Sequence, residues 1–202
     1  SFHETKNYTS AGEGGLLIIN DEKFIERAEI IREKGTNRGQ FFRGVVDKYS
    51  WVDVGSSYLM NDMSAAYLWG QLEKAGEILN DRLNSWNSYY DGLRKLQEKG
   101  LVVLPTIPNE CEHNGHMFYI KVKDLNARTE LLEHLNLNGI NAIFHYVPLH
   151  SSSAGFKFGR FNKIDEFTTL GSEHLIRLPL WFGISVDQQE SVIDTLHGAL
   201  LK

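Results

Sequence analysis

The feature that most constrains the fold is a run of helical periodicity that starts at Asn61. Apolar residues recur at helical spacing through the run, namely Ala65, Leu68, Leu72, Ala75 and Leu79. Asn61 or Asp62 can cap its start, Gly76 predicts a kink, and Gly100 ends it near Lys99. The pattern therefore predicts a long helix that connects two different parts of the chain.

The segment before this helix predicts a strand, a helix and a long irregular stretch. Residues 15–20 form a short apolar run bounded by glycines and by Asn20-Asp21, which is typical of a buried strand. Asp21 can cap a helix over residues 22–34, and Gly35 ends it. Residues 35–60 mix glycines, arginines and aromatic residues without a sustained period. Such a long irregular segment is usually functional, and we expect it to pack against another chain.

After the long helix, short strands and helices alternate. Strands are predicted at residues 101–104, 117–122 and 141–144, and helices at 127–138, near 165–173 and at 187–201. Asp187 is the predicted cap of the last helix. The segments PLH and SSSAGF predict a loop. We therefore expect a remnant of a larger domain over residues 1–80 and a small α+β domain over residues 81–202.

Composition and charge limit the class of protein. Hydrophobic residues make up 42% of the chain and charged residues 23%, which is typical of a folded globular protein. The net charge of −5 argues against non-specific binding to nucleic acids, which requires a basic surface. The single cysteine excludes an internal disulfide and fits the cytoplasm. No apolar run has the length of a membrane span.

Lys6 stands out because of the residues around it. Ser1 and Thr5 carry hydroxyl groups that can hydrogen-bond a phosphate, and the run GEGG follows at residues 12–15. Glycines allow a backbone to approach a ligand closely. A lysine acts as a nucleophile when burial or a neighbouring cation makes the neutral amine available. The pattern is compatible with a catalytic amine and equally with an ordinary surface lysine.

Several segments resemble, in the same order, the DegT/StrS family of sugar aminotransferases. SFHETKN followed by GEGG resembles the family's lysine-bearing segment, and VDVGSSYLMNDMSAAYLWGQLE resembles the segment that ends in AA and QL. HMFYIKV resembles a strand of the small domain, FHYVPLH a substrate loop, and LIRLPLWFGIS the leucine-proline strand near the C-terminus. The resemblance extends over essentially the whole chain. It implies an α/β fold of the fold-type I, aspartate-aminotransferase-like class and dependence on pyridoxal 5′-phosphate (PLP).

The resemblance also implies roles for three residues of the first domain. Lys6 would be the catalytic lysine, which bonds covalently to PLP and then acts as general base and acid. Ser1 would bind the PLP phosphate. Ser57 lies where many members have an asparagine that reaches the phosphate of the neighbouring subunit's cofactor. A serine hydroxyl can still donate one hydrogen bond, but its reach is shorter.

Four further residues are candidates for substrate binding. Arg38 and Arg43 are either solvated or use their forked guanidinium groups to bind a pyrophosphate or a carboxylate. The resemblance places Tyr146 and His150 near the nucleotide sugar, and His145 is a weaker candidate. The aromatic segment around these three residues could equally belong to the core. Pro148 and the Ser/Gly loop that follows favour a ligand rim.

The resemblance implies transamination of a dTDP-linked 4-keto-6-deoxy sugar with L-glutamate as amino donor, in a homodimer that shares its active sites. The product would serve bacterial surface polysaccharide. A related aminotransferase acting on a 3-keto sugar, a sugar dehydratase of the same fold, and a non-catalytic interaction fragment are the alternatives. The dehydratases replace the lysine by histidine, so Lys6 favours transamination.

The chain is expected to be a C-terminal fragment of a longer enzyme. SFHETKN has no initiator methionine and no capping signal, and it leads directly into the predicted strand. In the family, the aspartate that pairs with the pyridine nitrogen, the aromatic residue that stacks on the ring and the phosphate loop all precede the lysine. We therefore expect the chain alone to be a poor or inactive catalyst.

A second kind of functional site that the sequence could contain is a metal site. Cys111, His113 and His116 carry side chains that zinc favours. Their spacing, C-x-H-x-x-H, is not a common zinc motif, and the sequence has no matching second pair. The sequence therefore predicts no metal.

Overall fold

The computed structural model describes residues 1–161 and 164–201. The chain divides into two compact units, Ser1–Ala75 and Gly76–Lys202. In chain order the elements are α1 (Ile25–Arg32), α2 (Arg38–Phe42), α3 (Asp62–Glu73), α4 (Ala75–Glu98), β1 (Phe118–Lys121), α5 (Leu125–Leu137), β2 (Ile143–Phe144), α6 (Ser153–Phe158), α7 (Thr168–His174), β3 (Leu175–Leu178) and α8 (Val186–Leu200). Short 3-10 helices lie at Glu22–Phe24 and Leu149–Ser151. No described helix is both long enough and apolar enough to cross a membrane.

The apolar run at residues 15–20 is not a strand, so that prediction is wrong. A strand needs hydrogen bonds to a neighbouring strand, and no described segment pairs with this run. Leu16, Leu17 and Ile18 are 70, 73 and 74% exposed, so the run is not buried either. Leu16 and Leu17 line an apolar cavity of about 900 Å³ against α1.

The helical segment after this run begins as predicted. The Asp21 carboxylate accepts a hydrogen bond from the Lys23 N–H at 3.1 Å and caps the 3-10 turn that leads into α1. Lys34 and Gly35 follow the end of α1 with φ of 62° and 72°. Only glycine adopts this left-handed conformation without strain, so Gly35 explains why the helix does not continue.

Two glycines allow the backbone of residues 50–58 to lie against the end of α1. A Cβ atom at Gly35 would lie 1.8 Å from the carbonyl oxygen of Asp53, and a Cβ at Gly55 would lie 2.0 Å from the nitrogen of Gly35. The Val52 N–H donates to the Gly35 carbonyl at 2.8 Å. Much of the segment predicted to be irregular is therefore anchored by backbone hydrogen bonds, and it also contains the short helix α2.

The periodic segment forms two helices in place of one kinked helix. The Asn61 side chain caps α3 by accepting a hydrogen bond from the Ser64 N–H at 2.9 Å. Lys74 separates α3 from α4, so the break lies two residues before the predicted kink at Gly76. Gly100, with φ of 69°, follows the end of α4 as predicted.

A three-stranded antiparallel sheet in the order β1-β3-β2 forms the centre of the second unit. The strands alternate in burial, with Phe118, Ile120, Ile176 and Leu178 on the inner face. Buried apolar residues of α4, α5 and α8 belong to the same core, namely Trp86, Tyr89, Leu93, Leu96, Leu131, Leu135, Val192 and Leu196. The outer face carries Tyr119, Lys121, Leu175 and Arg177, which are half-buried.

Two buried polar side chains of α4 connect this helix to the loops around the sheet. The Tyr89 hydroxyl donates to the carbonyl of Pro179 at 2.8 Å, and burial raises the pKa of the Tyr89 phenol. Arg82 is 6% exposed, and burial lowers the pKa of its guanidinium group. Its donors contact the carbonyls of Gly115 at 3.1 Å, His116 at 2.6 Å and Leu180 at 3.5 Å.

Other details of the second unit differ from the predictions. The segment at residues 101–104 makes only a single bridge, between Val103 and Lys121. Helix α6 lies in the predicted loop, where the Ser152 hydroxyl accepts from the Gly155 N–H at 3.0 Å. The cap of α8 is Ser185 and not Asp187. Ser185 and Gln188 form a capping box, in which each side chain accepts from the other's backbone N–H.

Replacing Ser185 by alanine is expected to lower the free energy of unfolding by about 1 kcal/mol, because the first turn of α8 loses a hydrogen-bond acceptor. Asp187→Asn, which removes only a charge near the helix start, should cost a few tenths of that amount, at most about 0.5 kcal/mol. Urea unfolding of both variants measures the difference as a shift in midpoint at constant slope. Equal losses in the two variants would argue against Ser185 as the cap.

Candidate active site

Lys6 lies in a loop that its own backbone closes. The Phe2 N–H donates to the Gly14 carbonyl at 2.7 Å, and the Ser10 N–H donates to the Phe2 carbonyl at 2.9 Å. Within the loop, the Lys6 N–H donates to the carbonyl of His3 at 3.0 Å and forms a turn. These bonds hold the lysine backbone in one conformation.

Ser10 is the buried centre of this loop, and the sequence did not single it out. Its side chain is fully buried, and its hydroxyl lies 3.0 Å from the carbonyl oxygens of both Phe2 and Glu13. A Cβ atom at Gly14 would lie 2.4 Å from the Ser10 oxygen, so the GEGG run has a packing role. The loop therefore packs around the buried side chain of Ser10.

The polar groups near Lys6 match two parts of PLP. The Lys6 side chain is exposed, and its amine has no hydrogen bond or ion pair with the described residues. The Thr5 hydroxyl lies 2.9 Å from His3 Nδ1, and the Ser1 hydroxyl accepts from the His3 N–H at 3.4 Å. An available amine suits an aldehyde, and small hydroxyl groups suit a phosphate. The residues present therefore fit the aldehyde and the phosphate of PLP.

Ser57 lies on an exposed part of the segment that pairs with the end of α1. Its backbone forms a single antiparallel bridge with Glu33. The neighbouring Ser56 and Tyr58 N–H groups donate to the carbonyls of Ile31 and Arg32 at 2.9 and 3.0 Å. The position of Ser57 is thus fixed by its neighbours, which leaves its hydroxyl at the surface.

Arg38 and Arg43 are both paired with carboxylates. Arg38 Nη1 donates to Glu33 at 2.9 Å, and its guanidinium group lies 5.0 Å from the centre of the Phe42 ring. Arg43 donates to both carboxylate oxygens of Glu29, at 3.1 and 2.8 Å. These hydrogen bonds hold the pKa of the Glu29 carboxyl below its usual range. An anionic substrate at either arginine would compete with an existing partner, which the sequence did not reveal.

Tyr146 follows β2 and lies beside Arg177 of β3. The Arg177 guanidinium group is 5.4 Å from the centre of the Tyr146 ring and donates to the carbonyl of Phe144 at 3.2 Å. The Tyr146 side chain is 73% exposed. Burial, and secondarily the charge of Arg177, lower the pKa of neighbouring His145. The sequence predicted the tyrosine but not the arginine that contacts it.

His150 Nε2 lies 3.0 Å from the carboxylate of Asp165, and the two form an ion pair when the histidine is protonated. Its ring also stacks on Phe161, with ring centres 4.3 Å apart. Asp165 accepts hydrogen bonds from the Thr169 hydroxyl and from the Thr168 and Thr169 N–H groups, which lower the pKa of its carboxyl to about 2. His150 is therefore connected to the start of α7 through a carboxylate that the sequence analysis did not identify.

Cys111, His113 and His116 do not form a metal site with other residues in the described part of the chain. No group of three or more His, Cys, Asp or Glu side chains there has a suitable arrangement for a metal ion. Cys111 is exposed, and the His113 ring packs on Trp86 with ring centres 4.4 Å apart. His113 Nδ1 accepts from the Gly115 N–H at 3.3 Å, which is a structural role.

Comparison with curated proteins finds sugar aminotransferases. UDP-4-amino-4-deoxy-L-arabinose--oxoglutarate aminotransferase of Shewanella sediminis is 28% identical over 204 residues, which cover 96% of this chain and 52% of that protein. dTDP-3-amino-3,4,6-trideoxy-alpha-D-glucose transaminase of Streptomyces venezuelae is 29% identical over 160 residues, which cover 76% of this chain and 37% of that protein. The chain thus spans about half the length, or less, of the curated relatives that it matches.

The fold agrees with the sequence comparison. The structure of a putative sugar aminotransferase from Streptococcus pneumoniae, described as its PLP form, superposes on the whole of this chain with a TM-score of 0.76 at 21% identity. This chain covers 50% of that protein. The predicted mixed α/β fold is confirmed by this likeness. The model of the DegT/DnrJ/EryC1/StrS aminotransferase family matches residues 1–197, and the chain belongs to that family.

Proposed function

We propose that this chain is part of a PLP-dependent aminotransferase that acts on a nucleotide-linked keto sugar. The family match over residues 1–197 carries the proposal. The closed loop that presents the exposed Lys6 amine supports it, because an amine is the group that PLP chemistry requires. The amino donor is L-glutamate, and the acceptor is a dTDP-4-keto-6-deoxyhexose that becomes dTDP-4-amino-4,6-dideoxygalactose for bacterial surface polysaccharide.

Bound PLP supplies an electron sink for the bond changes at the substrate carbon. Lys6 has two roles in this proposal. Its amine would hold the cofactor, and as a free amine it would accept the proton from the substrate carbon and return it. The Ser1 hydroxyl donates to the cofactor phosphate. The hydrogen bonds around Ser10 hold the lysine backbone still, so that only the side chain moves when the amine changes partners.

The proposed substrate class is supported by what the two named relatives have in common. Both named relatives are transaminases of nucleotide-linked sugars, one with a UDP and one with a dTDP carrier. Tyr146 and His150 are the proposed contacts to the nucleotide sugar. Arg38 and Arg43 contribute only if the substrate replaces their present carboxylate partners, Glu33 and Glu29. The proposed enzyme is a cytoplasmic homodimer in which Ser57 contacts the partner's cofactor.

The position of the amino group has a second candidate. The Streptomyces relative is named for an amino group at carbon 3, whereas the Shewanella relative is named for one at carbon 4. Transamination of a 3-keto sugar is therefore the alternative. NMR of the amino sugar formed by any preparation with turnover identifies the carbon that carries nitrogen, and thereby distinguishes the two.

The first test is an intact mass spectrum of the purified 23.1-kDa chain after addition of equimolar PLP and reduction with borohydride. The expected result is one phosphopyridoxyl group, located at Lys6 by peptide mapping. PLP attaches weakly to any accessible amine, so Lys23 and Lys34 in the same unit serve as internal controls. No adduct, or an adduct distributed evenly among these lysines, would contradict the proposal and favour a non-catalytic interaction fragment.

A further inference from the structure

A cavity of about 510 Å³ lies on the outer face of the sheet, within the second unit. Tyr119, Lys121 and Leu175 of the strands line one side of it. The loop at residues 145–149 lines a second side, and α7 with the preceding Phe167 lines a third. The cavity is therefore assembled from segments that are far apart in the sequence.

Specific polar contacts hold the walls together. The Ser172 hydroxyl of α7 donates to the carbonyl of Tyr146 at 2.8 Å. The ion pair between His150 and Asp165 joins the other end of the loop to the N–H groups at the start of α7. These contacts within the chain fix the walls of the cavity, which lowers the cost of binding a ligand there.

The charged side chain in the lining of this cavity is a cation. Its lining includes Lys121 but no aspartate or glutamate. Lys121, Arg128 and Arg177 have no carboxylate partner among the described residues, whereas Arg27, Arg38, Arg43 and Arg94 each have one. Burial, and secondarily Arg177, lower the pKa of His145, which also lines the cavity. A lysine in the lining that no carboxylate of the described residues pairs with favours an anionic ligand.

The register of the sheet places these groups together. Tyr119 lies directly opposite Arg177, and Lys121 is the next residue of β1 on the same face. Diagonal neighbours of this kind are about 7–8 Å apart, so Lys121 and Arg177 act on the same region. The rings of Tyr119, Tyr146 and Phe167 line the cavity beside these charges. Aromatic rings of this kind provide surfaces on which a nucleic-acid base can stack.

We infer that this cavity binds the nucleoside diphosphate part of the substrate, with Lys121 paired to a phosphate and the rings of Tyr119 and Tyr146 in contact with the base. Arg177 positions Tyr146 through its ring contact and adds positive charge behind it. The choice of a nucleotide rests on the proposed function. The inference adds Lys121 and Tyr119 to the substrate-binding residues and assigns the carrier group, not the sugar, to the second unit.

The test is NMR of the chain with ¹³C-labelled methionine methyl groups, titrated with dTDP. The chain has three methionines. Met117 lines this cavity, whereas Met60 and Met63 belong to the first unit. We expect dTDP to shift the Met117 signal and to leave the Met63 signal unchanged. Lys121→Gln should weaken dTDP binding about 10-fold, because it removes one charge-assisted contact.

The matched control is Lys123→Gln, which removes the same charge two residues away at an exposed position outside the cavity. Its affinity for dTDP should stay within about twofold of the unmodified chain. Equal losses in the two variants would overturn the inference, since they would indicate only a general effect of charge. So would a Met117 signal that does not respond to dTDP.

Thymidine, inorganic phosphate and L-glutamate distinguish the possible ligands. Each should shift the Met117 signal less than dTDP does at the same concentration, because each lacks either the phosphates or the base. An equal response to phosphate or glutamate would overturn the assignment to a nucleotide. The adduct at Lys6 is measured independently: an adduct without a Met117 response overturns this inference alone, and a Met117 response without an adduct overturns the proposed function alone.

Discussion

Replacing Lys6 by arginine is expected to abolish the borohydride-reducible PLP adduct at this position. A guanidinium group stays protonated at every pH used for proteins, so it cannot attack the aldehyde. The positive charge is kept, and the loop should fold as before, because its bonds run between backbone groups and Ser10. Peptide mapping of the reduced protein gives the result directly.

The control is Lys23→Arg, which makes the same change at a lysine that pairs with Asp21 at 2.6 Å. That variant should retain the full adduct at Lys6. In any preparation with turnover, Lys6→Arg should also lower kcat by at least about 10²–10⁴-fold, the usual contribution of a general acid–base. An unchanged adduct yield in the Lys6→Arg protein would mean that PLP reacts elsewhere, and would remove Lys6 from the catalytic role.

Replacing Arg82 by methionine is expected to lower the free energy of unfolding by about 2–4 kcal/mol. The guanidinium group is buried and satisfies the carbonyls of Gly115 and His116 with good geometry. Methionine fills similar space but donates no hydrogen bond, so both carbonyls lose the donor that Arg82 provides. The loss of hydrogen bonds from a charged group costs about 1.5–3 kcal/mol each. Urea unfolding followed by circular dichroism measures the change.

Arg94→Met in the same helix is the matched control. Arg94 is exposed, and its side-chain hydrogen bond in the described part of the chain is an ion pair with Asp91 three residues earlier. Such a surface pair contributes about 0–1 kcal/mol. Arg82→Lys should be intermediate, because an ammonium group can donate to some of the same carbonyls but lacks the planar fork. A loss at Arg82 no larger than the loss at Arg94 would show that the buried contacts do not stabilise the fold.

Local sequence signals predicted most helix starts and ends. Asn61 and Asp21 cap their helical segments, and Gly100 ends α4, because a cap involves only residues within one turn. Asp187 was wrong as the cap of α8 for an equally local reason. Ser185 lies two residues earlier, and Gln188 three residues after it completes the capping box, which the sequence already contains as S-x-x-Q.

The sequence was less informative about features that depend on contacts with residues far away in the chain. The apolar run at residues 15–20 has the composition of a buried strand, yet no described segment pairs with it. The close approach of Gly35 and Gly55 involves residues 20 positions apart, and the sequence does not indicate that they meet. Gly35 was predicted only as the end of a helix.

In the candidate site, too, the sequence predicted individual residues but not the contacts between residues that are far apart in the chain. The family resemblance and the glycine-rich context were sufficient to select Lys6. Glu33, the partner of Arg38, lies 5 residues earlier, just after α1, and Glu29, the partner of Arg43, lies 14 residues earlier, on α1. Both pairs therefore depend on how α2 packs there. The ion pair between His150 and Asp165 and the contact between Tyr146 and Arg177 likewise join separate elements.

The sequence by itself determined the family, the α/β class, the lysine proposed for catalysis and most helix boundaries, because these depend on residue identity and on spacing within a few turns. The tertiary structure decided which arginines are already paired, which strands form, and where unpaired cations meet aromatic rings on the outer face of the sheet. These depend on contacts between residues far apart in the chain. Lys121 and Arg177 are neighbours on one face of the sheet only because the antiparallel register of β1 and β3 places them diagonally across from each other.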